Sequence, residues 1–470
     1  MKKAIRCIAF LAVLFLVFIR TYDVLSWKDT SGAYWSSTKQ LYSTEDELID
    51  VVFLGSSHCY CGICPDVLWG NYGISAFNMT TSGQDKISSY HLLIETLKTQ
   101  SPEVVCVELW GLTFDEHAVE GNVYRNMFAM SLSQNSVELV KEYADEEEWE
   151  SYLLRWPIIH TRYRELEKYD FLDYEYNLYG RGNPMSYYKG YGEFPTLAVE
   201  CKEVAELTES NRQWLEDLYQ LSQEENFELV LFLTPTALGL DHQMQINATK
   251  EFANKKGITF FNFNDLVNEI QIDYSNDFVD TTHLNGNGAA KVTNYLGAYI
   301  SERFGVADHR GEEAYHQWEQ SYRDYERVLA TEALLASATL EEYIARLERM
   351  DEITYVFSFE GIYDESTLSL GRAAKLLGVS EEEYEKGGTF ICMDGKLEYV
   401  MDNESDEVAI YELNKYDAFK IQNMSLVDPA ATNMDDVSLN LEPLGTAQNG
   451  LYFIVYDNIG KTVIDKRGYY

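Results

Sequence analysis

Apolar residues along the first 305 positions fall into short runs, and each run ends at glycine or in a polar turn. The runs are "DVVFLG" (50–55), "ISAFNMTT" (74–81), "EVVCVELW" (103–110), "FELVLFLTPT" (227–236) and "ITFFNFND" (258–265). Runs of this length, closed by turn residues, predict strands buried on both faces. Helical spacing appears between and after them, at 87–100, 211–226, 247–257 and 286–305. Strands alternating with helices predict an α/β fold, a doubly wound parallel sheet with helices on both faces. In such sheets functional residues gather at the carboxyl ends of strands. Ser56-Ser57, Ser82-Gly83 and Trp110 fall at those ends.

Three stretches break this rhythm. Residues 1–27 carry Lys2, Lys3 and Arg6, then an apolar run from Cys7 to Ile19, then Arg20. With Ala4 and Ile5, and with flanking arginines that snorkel, the run reaches the length of a membrane span. A cleaved signal peptide looks similar, but no small-x-small cleavage site follows, so an uncleaved signal anchor is favoured over it. Basic residues on its N-terminal side put that end in the cytoplasm and the rest of the chain outside. This makes the expected location the cell membrane, single-pass, with the large domain extracytoplasmic. Between the third and fourth strands lies a long insertion, about 111–210, densest in tyrosine over 169–195. Aromatic faces with polar tips suit sugar rings. A glycan-binding cover and a lid that merely packs on the sheet both fit it. After Gly305 a charged helical connector runs over 306–350. From 351 to 470 the pattern turns β-rich, with a strand at "EITYVFSFEG", a helix at "LSLGRAAKLLGV", and hairpins at "GGTFICMDGKLEYVMD" and "NGLYFIVYDNIGKTVID". A second, smaller β-rich α/β domain is expected there.

Composition narrows the function. The chain has 470 residues, 46% hydrophobic and 14% aromatic. That is enough to bury more than one core. Its 37 basic and 77 acidic residues leave a net charge of −40. Such a surface repels nucleic-acid phosphates and anionic lipid headgroups, and sets nucleic acid aside as a partner. The seven cysteines show no paired framework. Cys59, Cys61 and Cys64 sit beside His58, but no second Cys-x-x-Cys is present to complete a zinc knuckle. Small buried residues after a strand are the favoured reading, with no metal and no cofactor.

The candidate chemistry joins the first strand to a distant loop. "FVDTTHLNGNGAA" (278–290) places Asp280 and His283 three apart just before a helix. That spacing lets the carboxylate accept from Nδ1–H, fixing the tautomer and leaving Nε2 free as a base. A serine needs such a base to become a nucleophile, and Ser57 follows the first strand. Ser56 and Ser57 also suit a plain helix cap, and His283 a structural histidine. His58 is expected to point away from the serine.

Gly55-Ser56-Ser57, Gly83 and Asp280-x-x-His283 together resemble the blocks of the SGNH (GDSL-like) hydrolase superfamily, over about 48–305. "HLNGNGAAKVTNYL" is similar to the membrane-anchored branch that includes lipoteichoic-acid D-alanylation and alginate O-acetylation proteins. The resemblance implies a catalytic Ser57–His283–Asp280 triad and an oxyanion hole from the N–H groups of Ser57 and Gly83. It departs at the third strand, where "VELWGLTFDEH" lacks the Asn of the family's Gly-x-Asn-Asp block. Residues 351–470 resemble the interleukin-like EMT inducer (PANDER-like) domain, which implies a binding module. The resemblances imply an extracytoplasmic bacterial esterase or O-acyltransferase acting on acyl esters of a cell-surface glycan or polymer, beside a membrane-bound O-acyltransferase. The competing class is a non-catalytic surface protein that binds a polysaccharide or assists such an acyltransferase.

Overall fold

A computed structural model describes residues 2–27, 36–113, 126–128, 130–171, 201–360, 378, 380, 382, 388–402, 408–422, 437–440, 442–444 and 450–469. The tyrosine-dense 172–195 and most of the helix expected at 368–379 lie outside them. The chain divides into two compact units, Met1–Tyr325 and Glu326–Tyr470.

The first unit is built on five parallel strands: β1 Val51–Gly55, β2 Ala76–Thr80, β3 Val104–Glu108, β4 Glu228–Leu233 and β5 Thr259–Asn262. Their order is β2-β1-β3-β4-β5. This is the flavodoxin-like doubly wound arrangement, with its topological switch between β1 and β3. Alternate residues of each strand enter opposite cores. Val52, Leu54, Val105, Val107, Leu229 and Leu231 face one layer, with helices Lys86–Thr96 and Glu209–Glu225. Val51, Phe53, Val104, Cys106, Val230 and Phe232 face the other, with helices Pro65–Tyr72 and Gly286–Phe304. Burial on both faces is why the strands read as unbroken apolar runs.

The first part of the expected connector packs on this unit. Trp318 is fully buried and donates its indole N–H to the Ala76 carbonyl at 2.9 Å. His309 Nε2 lies 3.2 Å from Asp50, and Arg310 donates to the Gly70 carbonyl at 2.8 Å. From Glu326 onward the helical stretch belongs to the second unit, where Leu334, Leu340, Tyr343, Ile344 and Leu347 pack on a sheet. Both pieces are amphipathic helix by pattern, so only their packing separates them.

The second unit holds a five-stranded antiparallel sheet, β14-β13-β6-β7-β8, from strands β6 Ile353–Glu360, β7 Gly388–Met393, β8 Lys396–Asp402, β13 Gly450–Asp457 and β14 Thr462–Tyr469. A second sheet, β12-β11-β10-β9, uses β9 Val408–Glu412, β10 Ala418–Gln422, β11 Val437–Leu439 and β12 Glu442–Pro443. Phe357, Phe390 and Phe453 face the helices, while Val356, Ile391 and Ile454 face Phe419 and Ile421 of the second sheet. Both hairpins expected from the pattern are present.

Candidate active site

The chain leaves β1 at Gly55, whose φ is +148°. A Cβ there would come within 2.8 Å of the Glu108 Cβ and 2.9 Å of the Cys59 Cβ. Only glycine therefore lets the turn close against β3. Ser56 then caps the short helix Ser57–Gly62, its side chain accepting from the His58 N–H. The capping role therefore falls to Ser56. Ser57 starts the helix with its hydroxyl free of that duty. Its N–H is among the helix's first, which have no intrahelical acceptor.

The partner loop is rigid. Phe278 and Leu284 form an isolated antiparallel bridge, and the Val279 N–H donates to the His283 carbonyl at 2.9 Å. Asn285 caps the helix Gly286–Phe304 by accepting from the Asn287 and Gly288 N–H groups. Gly288 passes so close to the loop that a Cβ would sit 2.5 Å from the Asp277 carbonyl oxygen.

This loop brings His283 to Ser57. Ser57 Oγ and His283 Nε2 are 2.8 Å apart. On the far side of the ring, His283 Nδ1 is 2.9 Å from Asp280 Oδ2 and 3.1 Å from Oδ1. The Thr282 and His283 N–H groups both donate to Asp280 Oδ1 at 2.8 Å. Partial burial pushes the Asp280 carboxyl up, but hydrogen bonds from Thr282 and His283 outweigh it and hold the group down at about 2. Asp280 is thus an anion at any physiological pH. Such an arrangement can deprotonate Ser57 and hold the resulting imidazolium.

Gly83 comes to the same edge. Gly55 pairs with Thr80 across β1 and β2, and the Thr81 N–H donates to the Gly55 carbonyl at 3.4 Å. Gly83 follows in a turn with a φ of +64°. That is a conformation suited to glycine.

Several participants carry no signal in the sequence. Gln84 clamps the two loops: its Oε1 accepts from the Gly55 N–H at 3.0 Å, and its Nε2 donates to Met79 O and Thr81 Oγ1, each at 3.2 Å. Thr81 Oγ1 donates in turn to Asn126 Oδ1 at 2.5 Å. Asn126 is buried, and its Nδ2 has no hydrogen-bond partner among the described residues. A lone Asn in an insertion carries no pattern that would single it out.

His58 corrects an expectation. It does not turn away from the site but stacks on it, its ring 4.3 Å from the His283 ring and 4.0 Å from Trp110. The first turn of the helix Ser57–Gly62 carries it there, on the side facing the β3 terminus. Burial holds its imidazole well below the ordinary histidine range, and the neighbouring His283 charge adds to that. Neither ring nitrogen has a hydrogen-bond partner among the described residues. His58 is a neutral stacking element, and among the described residues it is Nε2 of His283 that reaches the serine. Trp110, just past the end of β3, supplies the other side of the stack. Its N–H donates at 3.0 Å to Glu108, which is buried.

The cysteines do not converge. Cys59 faces the core beneath the sheet, whereas Cys64 packs with Val67, Ala289 and Tyr325. Burial raises the Cys59 and Cys64 thiols and pushes Cys61 up to about 12, so none is a reactive thiolate at neutral pH. Among the described residues no group of three His, Cys, Asp or Glu side chains is placed to hold a metal ion.

Strand order and site together define a flavodoxin-like α/β unit with a Ser–His–Asp array at its switch point. No family model matches the chain, and no curated protein matches it. Among solved structures it is similar to a "putative acylhydrolase" from Bacteroides fragilis NCTC 9343, at 12% identity and a TM-score of 0.29, over 59% of this chain and 99% of that one. At that score the similarity bears on neither fold nor activity.

Proposed function

We propose that the first unit is a serine esterase or O-acyltransferase of SGNH type, acting on acyl esters of an extracytoplasmic glycan or polymer. The carrying observation is the 2.8 Å contact between Ser57 Oγ and His283 Nε2, backed by ionised Asp280. Ser57 attacks the ester carbonyl while His283 takes its proton, and Asp280 stabilises the imidazolium. The oxyanion is met by the N–H groups of Ser57 and Gly83. Asn126 Nδ2 serves as a third donor in place of the missing Asn at the β3 terminus. It is buried and without a partner among the described residues, and it is tied through Thr81 to the turn that carries Gly83. His283 then returns the proton to the leaving alcohol. The acyl-serine passes to water in hydrolysis, or to a polymer hydroxyl in transfer.

An apolar helix, Lys3–Leu25, is long enough to cross a membrane. In this proposal it is a retained anchor with the units outside. Two features support retention. Leu25 is buried, and the Arg162 guanidinium donates to the Leu25 and Ser26 carbonyls at 3.1 and 2.7 Å. The second unit, resembling the interleukin-like EMT inducer domain in its strand and hairpin motifs, is proposed as a polymer-binding module. A membrane-bound O-acyltransferase is the proposed partner. The competing reading, a non-catalytic binding protein, draws on the absence of the Gly-x-Asn-Asp block from "VELWGLTFDEH".

A fluorophosphonate probe on the full-length protein separates the two. Covalent labelling at Ser57, lost in Ser57→Ala and His283→Ala, is expected for the enzyme. Asp280→Asn should cut acetate release from an aryl ester by about 10⁴ through loss of the correct tautomer. A folded wild-type chain that takes no label at Ser57 would leave the binding-protein reading.

A further inference from the structure

The apolar helix Lys2–Leu25 does not end in a free tether. Phe18 and Tyr22 pack on Trp156, at ring distances of 5.3 and 6.4 Å. Arg162, itself buried, caps the helix's last carbonyls and lies over the Trp27 ring. An ion pair with fully buried Asp170 at 2.6 Å fixes its guanidinium. One segment of the insertion, 154–171, thus touches the helix at both Phe18 and Ser26.

Depth follows from helix geometry. Phe18 lies half a turn before Arg20, where the apolar run stops, so it marks the hydrocarbon boundary. Arg20 pairs with Asp23 at 3.1 Å on an exposed face, as befits headgroup level. From Phe18 to Ser26 the axial rise is about 12 Å at ~1.5 Å per residue. The headgroup layer of one leaflet is about 5–8 Å thick. A segment that contacts both ends of that interval must lie within or across the headgroup layer.

The chemistry of 154–171 suits that place. Leu154, Tyr163 and Phe171 are 54%, 59% and 56% exposed. Of its arginines, Arg155 is spent on the Met127, Phe128 and Met130 carbonyls and Arg162 on Asp170, while Arg164 is exposed. Tryptophan and tyrosine favour such an interface, and Trp156 and Tyr22, stacked on each other, are of those types.

We propose that residues 154–171 form a membrane-seated collar around the anchor, with Leu154, Tyr163 and Phe171 embedded among the lipid headgroups of the membrane that the anchor crosses. This rests on the anchor reading above. The first unit then rides on the bilayer at a fixed height and orientation instead of swinging on a tether.

The test uses full-length protein in phosphatidylcholine nanodiscs. Cys7, Cys61 and Cys201, the cysteines that are not buried, are first replaced by serine. An environment-sensitive fluorophore is then placed through Leu154→Cys, Tyr163→Cys or Phe171→Cys. Leu11→Cys in the helix and Glu251→Cys, exposed on the helix Leu240–Lys256, are the controls. Lipids carrying a nitroxide just below the headgroup should quench 154, 163 and 171 about twofold or more, as for interfacial side chains, and leave 251 unchanged. Quenching at 11 with 154, 163 and 171 no more quenched than 251 would overturn the collar while keeping the anchor. No quenching at 11 would overturn both.

Discussion

Replacing Glu108 by glutamine should make the protein more stable at neutral pH and leave it nearly unchanged in acid. Glu108 ends β3 behind the nucleophile turn, its Cβ facing Gly55. It is buried, and no cation pairs with it among the described residues. Burial pushes its carboxyl up to about 8 from an ordinary 4.5, against the opposing hydrogen bonds from the Trp110 and Thr234 N–H groups and the Thr234 hydroxyl. At neutral pH the folded state therefore keeps a proton that the unfolded chain has released. Stability from this group is complete below 4.5 and is lost as pH rises towards 8. At about 1.4 kcal/mol per unit, the loss between pH 5 and 7.5 is about 3 kcal/mol. Glutamine mimics the neutral acid and does not titrate. Its carbonyl can still accept from Trp110.

All eight tryptophans lie in the first unit, so urea unfolding followed by tryptophan emission reports that unit alone. Wild type and Glu108→Gln should agree near pH 5 and separate by about 3 kcal/mol at pH 7.5, the variant being the more stable. Asp50, raised mainly by burial, and Glu103, raised mainly by burial too, tilt both curves alike and cancel in the difference. Parallel curves, or a variant destabilised equally at every pH, would show that Glu108 is not held neutral.

Asn126→Ala should lower turnover on an aryl ester by about 10²–10³, the cost of one oxyanion donor, and lower stability by only about 1–3 kcal/mol through the orphaned Thr81 hydroxyl. A loss of stability matching the loss of activity would reduce Asn126 to a packing residue. His58→Phe keeps the stack between Trp110 and His283 and removes two unpaired ring nitrogens, so it should be active and about 1 kcal/mol more stable. His58→Ala, which opens a cavity there, should cost about 2–4 kcal/mol. Abolished turnover in a folded His58→Phe protein would mean that His58 carries a proton.

What the sequence displays and what it hides have different physical origins. The five parallel strands are legible because burial on both faces makes each an unbroken apolar run. The neighbourhood of Asp280 and His283 is legible because a three-residue spacing in one loop is a local fact. Its meeting with Ser57 follows from where parallel strands end. The stack of His58 on Trp110 is not legible, since it depends on how two strand termini sit side by side. Gln84 and Asn126 are hidden for the same reason. Cys59, Cys61 and Cys64 look like ligands because they are close in sequence, yet a short helix turns Cys59 and Cys64 into different cores. The strands at 408–444 escape notice because they are short, β11 having three residues and β12 two, too few to show an alternation.

The site's geometry is held by groups that take no part in the proposed chemistry. A serine hydroxyl and an imidazole 226 positions apart meet at 2.8 Å only if both their loops are immobile. On the serine side, Gln84 holds the Gly55 N–H, and Ser56 takes the capping bond that Ser57 would otherwise make. On the histidine side, the Phe278–Leu284 bridge, the Asn285 cap and the tight passage of Gly288 fix the loop before the ring is placed. The stack of His58 and Trp110 then limits the ring's rotation without competing for its nitrogens, because His58 stays neutral. Each restraint removes freedom in the folded state that a reacting pair would otherwise lose at the transition state. This ordering fits a catalytic role for Ser57 better than a capping role, since the cap is already supplied by its neighbour.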